Sequence, residues 1–277
     1  MQRVILLLLF IFIASCASKN NNSDVTPEKR KASLYYNKGT RDMMDGNYTQ
    51  ALKNLIEASI LNPEDSKINN NLGMAYYFKG AKGRALKYIK KSLVIDPKNS
   101  DAKSNLATIY MKERKYAQAE ELYKEILNDL TYEGQFKTYF NLGLLKLKTN
   151  KESQAISYFK QSINVSDSYC PSHFQLGNIY YKRKDYKKAL KSYRESGLGV
   201  CYEKPEPIYK QALSMIKLRK YDSAKVKLEE ILERFALTDY QKKAQKTLNY
   251  LVKLKNKDIN QRLNLKSSNG KILSPDF

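Results

Sequence analysis

Histidine is almost absent: His173 is the only one in 277 residues. General acid–base and nucleophilic sites lean on that side chain, and no Ser-His-Asp set assembles around this one. The glycines form no phosphate-cradling loop. Two cysteines and a histidine at the spacings of Cys170, Cys201 and His173 match no zinc pattern. Acidic residues are few, 28 against 50 basic, which leaves a net charge of +22. No apolar run is long enough for a bilayer: the longest, Val4–Ile13, has ten residues where a spanning helix needs about 20. These shortages argue against an enzyme, a cofactor, a metal centre and a spanning helix in the body of the chain.

What the chain has is a period. Ala51, Ala85, Ala119, Ala155, Ala189 and Ala224 recur at intervals of 34, 34, 36, 34 and 35 residues. A second ladder runs 12 residues ahead: Gly39, Gly73, Ala107, Gly143, Gly177 and Ala212. A 34-residue repeat with small residues at two fixed offsets marks stacked helix–turn–helix units that bury their apolar faces against one another.

These units resemble tetratricopeptide (TPR) repeats, and segment 172–196, SHFQLGNIYYKRKDYKKALKSYRES, reads close to that consensus. Six repeats are placed at 32–65, 66–99, 100–133, 136–169, 170–203 and 205–238. A capping helix follows at 239–254, where Tyr240, Ala244, Leu248 and Leu251 keep helical spacing. The expected fold is all-α, a right-handed superhelical solenoid of six such repeats plus the cap, ending in a loose tail at 255–277. The small residues let paired helices approach closely. Leu72, Leu106, Leu142 and Leu176 fill the seam, and Leu55, Ile89, Tyr123, Phe159, Tyr193 and Leu228 are expected to pack onto the next repeat. Pro63 and Pro97 close their helices. Repeats three to six lack such a proline, and repeat six has Gln211 and Ala212 at the seam leucine and glycine positions. His173 falls at a large-residue position of the first helix, which gives it a packing role.

The N-terminus carries an address. Arg3, then the apolar run, then Ile13-Ala14-Ser15-Cys16 resemble a bacterial lipoprotein signal, 1–15, whose cysteine is diacylated after cleavage. An ordinary signal peptide with Cys16 incidental is the other reading. Residues 16–31 read as the lipidated end and a polar tether. No aspartate follows Cys16, so the resemblance implies an outer-membrane lipoprotein facing the periplasm. Export argues against nucleic acid as the counterpart of the basic charge. That leaves anionic headgroups, an acidic partner, or simply solvated helix faces, as at Lys87, Lys90 and Lys91. With Cys16 taken by lipid, an even pair remains. In an oxidising compartment Cys170 and Cys201 suggest a disulfide, with two unpaired thiols as the alternative.

The concave wall of a TPR array is lined by first-helix positions, and the resemblance places a partner site there. A carboxamide ladder, Asn37, Asn71, Asn105 and Asn141, can donate to and accept from a peptide backbone. Beside it runs an apolar stripe that includes Met43, Met74, Tyr77, Met111, Phe140, Leu144, Phe174 and Tyr181, suited to an apolar peptide or amphipathic helix. The Lys/Asn clamp by which some TPR proteins hold a C-terminal carboxylate is missing: its positions read Tyr36, Thr40, Asn71, Asp101 and Asn105. Lipobox, tether and six repeats together resemble the type IV pilus biogenesis lipoproteins, the pilotins that help a secretin reach and assemble in the outer membrane. A general periplasmic adaptor for outer-membrane assembly factors or peptidoglycan enzymes has the same features, and an envelope enzyme is the more distant reading.

Overall fold

The computed structural model describes residues 26–198 and 201–269, with side chains to residue 256. The signal segment, Cys16, the tether up to residue 25 and the last eight residues of the tail lie outside the described residues. Among those described, the chain forms thirteen α-helices and no strand. They fall into two compact units, divided after Ile95.

The first unit holds two hairpins, α1 (Pro27–Met44) with α2 (Tyr48–Leu61) and α3 (Ser66–Phe78) with α4 (Lys82–Ile95). Helix α1 begins five residues before the expected repeat boundary, inside the stretch read as tether. Its start is written locally: the Thr26 hydroxyl accepts from the Lys29 N–H at 3.3 Å, and Pro27 occupies the first turn, where a missing N–H costs nothing. The Asp65 carboxylate caps α3 by accepting from the Ile68 N–H at 3.0 Å. The core is Leu55, Leu72, Ala75 and Ala85, all fully buried, with Ala58 and Ile68 beside α1. Gly73 shows why its ladder must be small: a Cβ there would sit 3.0 Å from the Ala85 carbonyl oxygen and the Ile89 nitrogen.

The second unit repeats the hairpin four times: α5 (Ser100–Lys112) with α6 (Tyr116–Leu127), α7 (Gln135–Lys148) with α8 (Glu152–Val165), α9 (Cys170–Lys182) with α10 (Tyr186–Glu195), and α11 (Pro205–Lys217) with α12 (Tyr221–Arg234). Tyr123, Phe159, Tyr193 and Leu228 are fully buried. Phe159 plugs two gaps at once. Phe159 and Tyr193 lie against Gly143 and Gly177 of their own hairpins, while Tyr123 and Phe159 also pack on the next first helix, at Leu142 and Leu176. At the seam position of α11, buried Gln211 donates to the Tyr193 carbonyl at 3.1 Å, so a hydrogen bond replaces the leucine contact. Lys146 is buried on α7 and reaches Glu120 of α6 at 2.7 Å.

A third ladder, not read from the sequence, sits in the turns. Within every hairpin three residues join the helices. One of them is left-handed: Gly46 (φ 76°), Gly80 (78°), Arg114 (61°), Asn150 (59°), Lys184 (61°) and Arg219 (57°). The connections between hairpins vary instead, with seven residues between α6 and α7 where the alanine interval widens to 36.

The final helix corrects the expected tail. Helix α13 runs Asp239–Asn269, fifteen residues past the predicted end of the cap. The cause is the absence of any glycine or proline between Asp239 and Asn269; the first breaker is Gly270. Ala244 and Leu251 are buried against the α11–α12 core, with Leu248 beside them.

Candidate partner-binding site

The predicted groove residues divide between the two units. In the first, Asn37 is exposed, and Met43, Asn71, Met74 and Tyr77 are half-buried. Met43 and Tyr77 pack against the Leu55–Leu72 core. The Asn71 amide donates to the Thr40 hydroxyl at 3.0 Å and its oxygen accepts from Asn70 at 3.3 Å, so its carboxamide ties α3 to α1. The ladder position is therefore polar for internal reasons as well as for any partner.

In the second unit Asn105, Met111, Phe140, Asn141, Leu144, Phe174 and Tyr181 are all half-buried. Their apolar members work between helices while keeping an open edge. The Met111 sulfur accepts from the Tyr123 hydroxyl at 3.7 Å. Phe140 lies 5.7 Å from the Phe159 ring and edge-on to Tyr169 at 5.4 Å. Phe174 lies 5.7 Å from Tyr193, and Tyr181 meets Tyr186 edge-on at 5.3 Å. His173 is half-buried, and its Nε2 pairs with the Asp167 carbonyl at 2.9 Å, which ties α9 to the preceding loop.

Tyr181 opens onto a feature that the sequence reading missed. A chamber of about 900 Å³ lies between α9, α11, the start of α12 and α13. From α11 come Glu206, Tyr209, Lys210, Leu213, Ile216 and Lys217, and from α13 Tyr240, Lys243, Thr247, Tyr250 and Leu254. Both sets follow the three-and-four spacing of a single helix face. That spacing on α13 was available in the sequence, but it lies beside the stripe that anchors the helix and passes for an ordinary solvated face. The Tyr209 hydroxyl and Thr247 Oγ1 are 3.0 Å apart, and Tyr209 meets Tyr240 edge-on at 5.7 Å. Burial pushes the Tyr240 phenol up to about 12, helped by the charge of Glu206 and a hydrogen bond to it. Burial also raises Tyr181, with Tyr186 and Tyr209 adding to it. The Tyr240 hydroxyl is thereby kept as a donor to Glu206.

Cys170 and Cys201 are buried with their Cα atoms 6.2 Å apart, within the reach of a disulfide. Cys170 opens α9, and Cys201 lies in the connection to α11. Among the described residues no group of three or more His, Cys, Asp or Glu could hold a metal ion, and no helix is long and apolar enough to cross a membrane.

Sequence models of the tetratricopeptide repeat match residues 36–100, 100–168, 170–196 and 208–238, more than half of the chain together. Among curated proteins, the type IV pilus assembly protein PilF of Pseudomonas aeruginosa is 26% identical over 82 residues, 30% of this chain and 32% of that protein. Anaphase-promoting complex subunit 3 of Schizosaccharomyces pombe is 29% identical over 96 residues, 35% of this chain and 14% of that protein. The chain thus matches less than a third of the length of each of these curated relatives. Two solved structures share the fold over nearly their whole lengths. Pseudomonas aeruginosa PilF has a TM-score of 0.66 at 19% identity, covering 80% of this chain and 100% of its own. PilW, described as a widely conserved type IV pilus biogenesis factor, has a TM-score of 0.66 at 14% identity, covering 77% and 98%. With its hairpins, its small-residue ladders and these matches, the chain belongs to the tetratricopeptide repeat family of protein-interaction scaffolds.

Proposed function

We propose that this protein is an outer-membrane-anchored scaffold that assists a type IV pilus secretin in reaching and assembling in the outer membrane. The observation that carries the reading is a coincidence of two likenesses. The fold matches PilF and PilW along essentially their full lengths, and PilF is also similar in sequence. Independently, Ile13-Ala14-Ser15-Cys16 has the form of a lipoprotein signal. In this reading Cys16 carries the acyl chains, and several chains hold a protein at a membrane where one would be marginal. Within each unit the half-buried stripe residues take an apolar segment of the partner: Met43, Met74 and Tyr77 in the first, with exposed Asn37 beside them, and Met111, Phe140, Leu144, Phe174 and Tyr181 in the second. The exported chain carries the Cys170–Cys201 disulfide, and binding rather than catalysis is its work.

Deletion of the gene tests this. Secretin multimers should disappear while secretin monomer stays at its normal level, and a Cys16→Ser chain should fail to restore them. Multimers that persist at normal abundance in the deletion strain, or altered cell shape with intact multimers, refute the pilus reading; the second outcome points to an adaptor for envelope assembly.

A further inference from the structure

We propose that the chamber between α11 and α13 seats an acidic amphipathic segment of a protein partner. This rests on reading the chain as a partner-binding scaffold and names the chemistry of one subsite.

The chamber has two layers. Its floor is apolar and aromatic: Leu213 and Ile216 from α11, Leu254 from α13, with the Tyr181 and Tyr209 rings. Tyrosine supplies large contact area for little conformational entropy and keeps a hydroxyl for a polar partner. Its rim is cationic. Lys210 and Lys217 stand on one side, and Lys243 and Lys246 on the other, each lysine one helical turn or two from its neighbour. Among the described residues only one acid lines the space, Glu206, and it is engaged with Tyr240. A segment with Leu or Phe on one face and carboxylates on its flanks satisfies both layers together. Basic or neutral segments satisfy only the floor.

The arrangement distinguishes a peptide from a lipid surface. Lys217, Lys243 and Lys246 are exposed while Leu213, Ile216 and Leu254 are half-buried, and a flat array of headgroups meets the first set but not the second. The volume, about 900 Å³, is at the upper end of what a compact ligand fills and suits the side chains of about one or two helical turns. Helix α13 is what completes the chamber, which gives a function to a helix that otherwise only covers the last hairpin.

Three fluorescent helical peptides of equal length test the assignment. They share one Leu/Phe stripe and carry Glu, Gln or Lys at every other position. Titration of the full chain in detergent, followed by anisotropy, should show the Glu peptide bound about tenfold more tightly than the other two at low salt. The preference should shrink as salt rises. Lys243→Glu with Lys246→Glu, both at exposed positions, should abolish or invert it. Equal affinity for all three peptides, no binding of any, or a preference that ignores the double reversal overturns the proposal. So does binding of phosphatidylglycerol vesicles without binding of the Glu peptide. The readout does not involve secretin. Peptide selectivity with normal secretin multimers in the deletion strain supports the chamber and removes the pilus reading. Unselective binding with multimers lost removes the chamber and leaves the pilus reading standing.

Discussion

Replacing Gly73 by alanine should destabilise the protein although alanine is the better helix former. Gly73 lies inside α3, where its new Cβ would meet the Ile89 Cγ1 at 2.6 Å and, at 3.0 Å, the Ala85 oxygen and Ile89 nitrogen. The first contact can relax by rotation of a side chain. The other two are backbone atoms of α4, and relief requires the helices to separate across a fully buried seam. Overpacking of this kind costs about 1–3 kcal/mol, and the helix propensity of alanine returns about 1 kcal/mol, so the net loss is roughly 1 kcal/mol. Gly83 is the matched control. It is an exposed residue in the first turn of α4 with nothing within 4 Å of its Cβ, so alanine there should stabilise by up to about 1 kcal/mol. Urea titration followed by far-UV circular dichroism should place the two midpoints on opposite sides of the wild type. Repeat arrays can unfold in parts, so the slopes must be compared along with the midpoints. A Gly73→Ala protein as stable as wild type, or less affected than Gly83→Ala, would show that the close approach of α3 and α4 is not what keeps this ladder small.

Two further outcomes follow from the second unit. Burial pulls the Glu120 carboxyl up, but hydrogen bonds from Lys146 and Lys124 outweigh it and leave the group below its ordinary value of 4.5. A depressed carboxyl stabilises the fold above its unfolded value and loses that contribution as pH falls through the folded one. Glu120→Gln should therefore cost about 2 kcal/mol at neutral pH in urea melts, with the gap to wild type closing below about 4.5; a gap that persists unchanged in acid contradicts the pairing. For the cysteines, Cys170→Ser with Cys201→Ser should lower stability by roughly 3–4 kcal/mol on chain-entropy grounds, for a separation of 31 residues. Alkylation of both thiols in the folded exported chain, without a reductant, would show that no bridge forms there.

The parts of this fold legible in the sequence are those where one residue type is forced. A methyl group or less is all that fits where paired helices touch, so alanine or glycine marks the hairpins from Gly39 to Ala224. Parity, on the reading that gives Cys16 to lipid, points to Cys170 and Cys201 as partners, and their Cα atoms lie 6.2 Å apart. The left-handed turn ladder stayed hidden because glycine marks it only at Gly46 and Gly80, while Arg114, Asn150, Lys184 and Arg219 adopt the same conformation under outside constraint. The length of α13 was missed for a related reason. A search for an apolar stripe stops where the stripe stops, but a helix stops where a breaker stands. At the candidate site, periodicity identified which positions share a face. It could not say that the Asn71 amide is engaged by Thr40, nor that α13 lines a chamber beside Tyr209, because these depend on a neighbour 31 residues away in the first case and 38 in the second.

The fixed three-residue turns and the variable connections between hairpins set where this chain can change length. Adding a residue inside a hairpin displaces the left-handed position and rotates one helix by about 100° against its partner, which takes its buried face out of the seam. Adding one between hairpins alters only the offset from one repeat to the next. The two longest connections, between α6 and α7 and between α10 and α11, already use that freedom, and they present Leu130 and Leu198 to solvent at 88% and 58% exposure. Insertions, epitopes and reporter groups belong beside Leu130 in the first of these joints, since the second holds buried Cys201, and the hairpin is the indivisible piece in which such a chain is lengthened, shortened or recombined.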